Sequence, residues 1–502
     1  MKKPTYTSLF LALQFVVQMT FAQTQIGTDI DGEAARDLSG TSTTLSANGN
    51  VMAVGAENNV GKYGVSSGHV RVFVRNGNAW VQQGADIEGD STFEAFGVSC
   101  ELNHDGSILV VGADNSDLFI YSAGRVSVYK WDGNSWNQMG QDLFGKSGIS
   151  YFGASVGINA SGTRVVAGGP ISNTSSGQNS GYVRAYEWNG TSWIQMGQDI
   201  NGQSGTDRCG TSVAMSADGN RIIIGSPEND AMGINAGLAR VYAWSGTTWN
   251  QMGQDLVGNA ASAYFGKACD ISGDGLSIAI GAPRDTINNY KGYVNTYTWS
   301  GTTWVLKGAS ILGVDPGGAF GNALNFNYDG SLLAIAAFET NIRTGTSRIF
   351  EYDGNSWLKI GQNIVGEALR DEAGVSIAVD SIGNTVSIGA RYNQGNGYNA
   401  GHVRVYDISQ IVTVNEIALQ EDRIDVFPNP FQERFTIQLN ESLNGKIVVR
   451  NSLGQAIEEK NISQQKLVQI ELGNAKEGLY FVEIQRLNGT KSLHKVVKLE
   501  VH

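Results

Sequence analysis

The sequence predicts an all-β fold, and three observations carry that prediction. A stretch of about 56 residues recurs seven times, opening at Gly27, Gly84, Gly140, Gly197, Gly253, Gly308 and Gly361. Each copy follows the frame G-x-D-[IL]-x-G, F-G, D-G-x-x-x-x-x-G-A and G-x-V-x-V-Y-x-W-x-G-x-x-W-x-x-x-G. Within a copy, apolar residues alternate with polar ones, as Val183 and Ala185 do with Arg184 and Glu187, which marks a strand with one buried face. The composition agrees: 65 glycines and 16% charged residues in 502 fit neither a helical nor a disordered chain. A unit of this period cannot bury its own apolar face and stacks on its copies, and four short antiparallel strands per copy are the blade of a β-propeller. The expected architecture is a seven-bladed β-propeller of four-stranded blades over residues 23–407, then a linker at 408–422 and a small β-sandwich at 423–502.

From the N-terminus, Lys2 and Lys3 precede the apolar run Leu9 to Val17, and Thr20-Phe21-Ala22 offers small residues at the positions a signal peptidase reads. This predicts a signal peptide at 1–22, and no later apolar run approaches the length of a membrane span. Copy three shows the four strands: Phe152 to Ile158, Arg164 to Gly168, Tyr182 to Trp188, and Trp193 to Met196. Two-residue turns such as Asp105-Gly106, Asp218-Gly219 and Asn189-Gly190 are expected to join strand one to two and three to four, both central residues taking positive φ. Copy seven runs through His402 to Tyr406 and stops without its W-x-x-x-G strand. Gln25-Ile26-Gly27-Thr28-Asp29 matches Gln138-Met139-Gly140-Gln141-Asp142, so residues 23–29 are expected to supply the missing outer strand and remove a sheet edge.

The recurring side chains read as architecture. Cys100 and Cys269 occupy a strand slot that is Val156, Val213 or Leu324 in other copies, and Cys209 replaces the phenylalanine of F-G, so all three read as small core fillers. All ten tryptophans recur at two blade positions, as Trp193, Trp249 and Trp304 do, which favours packing between blades over a platform for sugars. Asp29, Asp86, Asp142, Asp199 and Asp255, and Arg71, Arg184, Arg240, Arg348 and Arg404, recur too often for catalysis and favour structural pairing. The five histidines show no metal-ligand spacing.

Both tight turns of a blade fall on one rim, so the second-to-third strand loops share the other with the crossovers. These loops vary in length and sequence, and function concentrates on variable loops held by a rigid scaffold. Tyr63, Asp117, Tyr121, Arg284, Tyr290, Arg391 and Tyr398 are the ligand-binding candidates there. A net charge of -12 argues against nucleic acid, which needs a basic stripe.

Phe152-Gly153 followed by Gly168-Gly169-Pro170, and Phe265-Gly266 followed by Gly281-Ala282-Pro283, resemble the FG-GAP repeat of integrin-type seven-bladed propellers. In that family a D-x-D-x-D-G loop with a later carboxylate binds calcium. Copy five offers Asp270, Ser272 and Asp274, but its later position is Ile278, so an ordinary D-G hairpin accounts for these residues and no cofactor is expected. Val426-Phe427-Pro428-Asn429-Pro430, Asn451-Ser452-Leu453-Gly454-Gln455, Glu477-Gly478-Leu479-Tyr480-Phe481-Val482 and Lys495-Val496-Val497-Lys498 are similar, in order, to the C-terminal sorting domain of type IX secretion cargo in Bacteroidota. That resemblance implies that residues 423–502 engage the secretion machinery. It also implies export across the outer membrane, then removal of the domain and release or attachment to surface lipopolysaccharide.

There is no G-x-S-x-G elbow, phosphate loop or sialidase-type box. A regular scaffold with variable loops and no singular reactive group favours a non-catalytic surface protein that binds a glycan or protein, an adhesin, on its long-loop rim. The alternative is a polysaccharide hydrolase or lyase whose acid–base pair lies among Asp117, Asp230 and Asp285.

Overall fold

The computed structural model describes residues 23–287, 289–409, 425–451, 455–473, 475–486 and 491–498. The expected signal peptide, and the expected linker from residue 410 on, lie outside them. The chain divides into two compact units, residues 1–413 and 414–502.

Seven antiparallel sheets make up the first unit. Sheet one contains Ser39–Leu45, Val51–Ala56 and His69–Asn76, and an outer strand in two pieces, Ala79–Gln82 and Ile87–Glu88. Sheets two to six repeat this order, with third strands Arg125–Trp131, Tyr182–Trp188, Leu238–Trp244, Tyr293–Trp299 and Thr346–Tyr352, except that the outer strand of sheet six is one piece, Trp357–Val365. Sheet seven has Ser376–Val379, Thr385–Ala390 and His402–Asp407, and its outer strand comes from the other end of the unit. Thr24 and Gln25 lie opposite Asp407 and Tyr406, and Ile30 and Asp31 opposite Val403 and His402.

Two local expectations are corrected. The glycines that open each copy do not separate strands: in sheet three, Trp193–Gln195 and Ile200–Asn201 both pair with Tyr182–Trp188, and Gly197, at φ 66°, lies between them. The outer strand is one edge interrupted by a glycine, and Gln195 spans the interruption with a 3.1 Å hydrogen bond to Asp199. The turns also differ from the two-residue type. Four residues separate the paired Trp188 and Trp193, and of Asn189-Gly190 only Gly190 has positive φ. The preceding Asx side chain explains this, because Asn189 Oδ1 accepts the N–H groups of Thr191 and Ser192, each at 2.9 Å. Those bonds close the turn without a positive φ at Asn189, so glycine alone goes left-handed.

Neighbouring sheets meet where side chains are smallest. A Cβ on the strand-two glycines Gly112, Gly168, Gly225 and Gly281 would fall 1.9–2.0 Å from the F-G glycine oxygen of the next sheet. Gly389 of sheet seven meets Gly40 of sheet one in the same way, at 2.1 Å. The turns between strands one and two form a closed cycle of backbone hydrogen bonds. Each residue donates to the next through Ala47, His104, Ala160, Ala217, Gly273, Tyr328 and Ser381, and Ser381 donates back to Ala47, all at 2.7–3.2 Å. Apolar clusters fill the spaces between sheets: Ile223 and Val241 of sheet four pack with Phe265, Ile278 and Ile280 of sheet five, and each such side chain contributes about 1.5–3 kcal/mol on burial. Trp193, Trp249 and Trp304 are nearly fully buried, and their indole N–H groups donate to the carbonyls of Met139, Met196 and Met252 of the preceding sheet at 2.7–3.0 Å. Packing between sheets is therefore their role. The three cysteines are buried and free, and burial raises the Cys100 and Cys209 thiols to about 12.

The second unit has five strands, Asp425–Phe427, Arg434–Asn451, Ala456–Glu471, Gly478–Arg486 and Lys491–Lys498, joined in one antiparallel sheet. The longest strand of this sheet passes through Asn444-Gly445. Arg434–Asn451 continues through it with register shifts near Leu443 and Gly445. Phe435 and Ile437 before the shift share one core with Ile447 and Val449 after it.

Candidate functional site

The first strand of each sheet begins at an F-G glycine, and the second ends where the long loop begins. On sheets four to seven these two points surround a cavity of about 480 Å3. Three layers of side chains line it. Arg208 and Tyr264 come from crossovers, Lys267 from the position after the F-G glycine, and Glu228, Arg284, Glu339 and Arg391 from the ends of second strands.

The charges on this wall are unequal. Arg208 pairs with Glu228 at 3.0 Å, Arg284 with Glu339 at 3.5 Å, and Arg391 with Glu372 at 3.0 Å. Glu372 is fully buried and also pairs with Arg343. Among the described residues, the Lys267 amine has no hydrogen-bond or ion-pair partner, although its backbone N–H donates to the Tyr264 carbonyl at 3.0 Å. Its amine is held below the usual lysine range by the surrounding walls and then by Arg208. Its side chain is nonetheless solvent-exposed, so the walls enclose it without covering it. Directly after strand two, where sheet seven has Arg391, sheets one and two carry Glu57 and Asp114. Burial raises both carboxyls, and Asp114, also opposed by Glu57, is lifted to about 7. Sheets four to seven thus present guanidinium forks and an unpaired ammonium, a surface suited to a carboxylate, sulfate or phosphate.

A second cavity, of about 280 Å3, is lined by the first strands of all seven sheets. Glu101 and Asp270 face it, raised by burial to about 8 and about 6. Their oxygens accept backbone N–H groups of the next sheet, Ile158 at 3.2 Å and Phe326 at 2.7 Å. Thr44 and Asn325 hold Leu102 and Val379 in the same way. These polar residues satisfy inner strand edges that would otherwise be orphaned.

Of the predicted loop candidates, the structure brings Arg284 and Arg391 together at the first cavity. Tyr63, Tyr121, Tyr290 and Tyr398 are exposed on the loops of sheets one, two, five and seven and do not line it. Asp117 closes its own loop by accepting the Ser122 N–H at 2.5 Å, as Asp230 does with Asn235 at 2.8 Å and Asp285 with Ile287 at 3.0 Å. The weak metal candidates do not converge. Asp270 is bonded to the Phe326 and Ile271 amides and to Asn325, while Ser272 and Asp274 bond each other at 2.6 Å inside their turn. Sequence reasoning missed Arg208, Tyr264 and Lys267. The available signal was a fixed register offset around F-G: Arg208 and Tyr264 stand where copies two and six have Ala95 and Ala319, and Lys267 is the one charged residue in a slot that is Val98, Ala154 or Thr211 elsewhere. Burial also acts away from this cavity: it pushes His402 down to about 4, and it raises Asp31 and Glu367, helped in both by Asp29.

Residues 425–499 match the family described as "Secretion system C-terminal sorting domain". This tail marks the chain for type IX secretion to the cell surface or the extracellular space. Among the described residues no helix is long and apolar enough to cross a membrane. No curated protein matches the chain. Among solved structures, the chain is similar to one from Bacteroides uniformis ATCC 8492 described as "a putative 6-phosphogluconolactonase", at 11% identity and a TM-score of 0.46 over 65% of this chain and 86% of that one.

Proposed function

We propose that the chain is a secreted seven-bladed β-propeller of FG-GAP-like repeats that binds an anionic ligand, without catalysis, at the mouth between sheets four and seven. The closed hydrogen-bond cycle through seven turns supports the propeller. The carrying observation for the function is Lys267, exposed and unpartnered among Arg208, Arg284 and Arg391 in a cavity of about 480 Å3. That volume lies within the range of ligand pockets. A uronate-bearing glycan fits this chemistry best, because guanidinium forks hold a carboxylate and Tyr264 offers a ring face to a sugar. Exposed apolar side chains on the long loops, among them Tyr121, Ile234, Tyr290 and Tyr398, offer further contact area beyond the mouth.

An array of neutral and acidic glycans probed with the full chain tests this, alongside an assay for released reducing ends. The expected result is binding confined to acidic glycans, lost in Lys267→Ala and Arg208→Ala, with no sugar released. Binding unaffected by both substitutions would refute the site. Sugar release that depends on Lys267 or Tyr264 would replace the binder with a lyase or hydrolase.

A further inference from the structure

The third strand of every sheet starts at one equivalent position beside its long loop, and the residue there changes from sheet to sheet. In sheet two it is Arg125, which has no exposed surface. Its guanidinium meets Glu94 at 2.7 Å, Asp90 at 2.5 Å and Asp142 at 3.2 Å. A permanent cation thus fills a nest of three carboxylates. In sheet seven the same position is His402, also without exposed surface, and the carboxylates remain. Nδ1 lies 3.3 Å from Asp29 Oδ2, 3.9 Å from Glu367 Oε2 and 4.0 Å from Asp31 Oδ1. Neither ring nitrogen has a hydrogen-bond partner of acceptable geometry.

Charge points the same way. Asp29, Asp31 and Glu367 bring three negative charges, and Arg404, 3.6 Å from Glu367, returns one positive. One ligand atom each from Asp29, Glu367 and His402 lie within 4.8 Å of one another, a separation that a small inward movement brings to coordination distance. We propose that His402 Nδ1, Asp29 and Glu367 form a binding site for a divalent transition cation, zinc being the best match to one imidazole and two carboxylates. Asp31, 4.0 Å from the same nitrogen, offers a fourth donor, the third through oxygen, and mixed nitrogen and oxygen donors suit zinc better than calcium, which takes six to eight oxygens.

The three ligands come from the N-terminal segment, the crossover that enters sheet seven, and the third strand of that sheet. A cation there ties the borrowed edge strand to the body of the unit. The site is remote from the lysine mouth in residue composition and stands independently of any ligand bound there. The repeat-related set, His69 with Asp86 and Glu33, has one carboxylate fewer within 4 Å of its imidazole and is the weaker counterpart.

The test uses the full chain, stripped with a chelator and re-equilibrated with zinc or, separately, calcium. Metal retained after gel filtration is counted by elemental analysis, and Tm is followed with and without metal. Retained zinc should fall by one ion per chain in His402→Gln and, separately, in Glu367→Gln, and added zinc should raise the wild-type Tm but shift that of either variant less. Glu367 is half exposed, so its variant decides the question should His402→Gln misfold. Three results would overturn the proposal: no zinc on the wild-type chain, equal zinc on all three proteins, or retention of calcium with exclusion of zinc.

Discussion

Trp249 gives the packing between sheets a measurable value. It is 3% exposed and packs with Met196, Ile200, Val213 and Ile224, and its indole N–H donates to the Met196 carbonyl at 3.0 Å. Its backbone is also clamped by Gln198, which accepts from the Trp249 N–H at 3.2 Å and donates to its carbonyl at 2.8 Å. Trp249→Phe keeps a ring but deprives the Met196 carbonyl of its indole donor, at about 1–3 kcal/mol. Trp249→Ala adds a cavity, for a total of about 3–5 kcal/mol. Urea unfolding followed by tryptophan fluorescence reads this cleanly, since all ten tryptophans lie between residues 80 and 357 and the second unit contributes no signal. The control is Trp244→Phe: its ring lies 5.2 Å from that of Trp249, but it is only partly buried, and the expected change is within about 0.5 kcal/mol. Unchanged stability in Trp249→Phe together with lost glycan binding would refute packing and restore the sugar platform.

Glu101 should make stability fall as pH rises. Its folded value, about 8, lies above the ordinary 4.5, so between these values the folded state holds a proton that the unfolded state has released. The stabilisation is complete below about pH 4.5 and is lost through pH 8, at no more than about 1.4 kcal/mol per pH unit and less where the cavity admits water. Glu101→Gln should flatten the urea-midpoint profile between pH 5 and 8; a profile as steep as wild type counts against it. Arg125→Met leaves the fully buried Glu94 without its cation and should cost about 3–5 kcal/mol in the same assay, with part recovered by adding Glu94→Gln. No recovery would mean that the charge nest is not what Arg125 balances. Removing residues 425–499 should leave the chain inside the cell envelope on fractionation, and undiminished appearance in the medium would contradict a sorting role.

What was legible in the sequence was whatever repeats with the period. The strands of copy three, the strand-two glycines and the tryptophan positions recur because most neighbouring pairs of sheets make the same contact; Ala336 replaces the glycine in sheet six. The two-piece outer edge was not legible, because a two-residue strand such as Ile200–Asn201 has no periodicity of its own. Turn geometry was missed because Asn189 and Asp218 act through side chains that bond two residues ahead rather than by adopting positive φ. The charged sites were the least visible. Arg125 reads as one more polar residue at a strand start, and Asp29 lies hundreds of residues from Glu367 and His402 until the N-terminal segment pairs with sheet seven. The lysine mouth hides for a related reason: its cations come one or two at a time from sheets four, five and seven, so no single segment is basic.

That pairing is the claim from which the cation site and the sealed edge both follow. Hydrogen exchange on the exported chain, read by mass spectrometry on the peptide covering residues 24–32, measures it directly. The Ile26 and Gly32 amides donate to the Val405 and Gly401 carbonyls, each at 2.8 Å, and should exchange as slowly as the outer-strand amides of sheets two to five. Exchange of these residues at the rate of an unstructured chain, with the other outer strands protected, would contradict a unit closed by its own N-terminal segment.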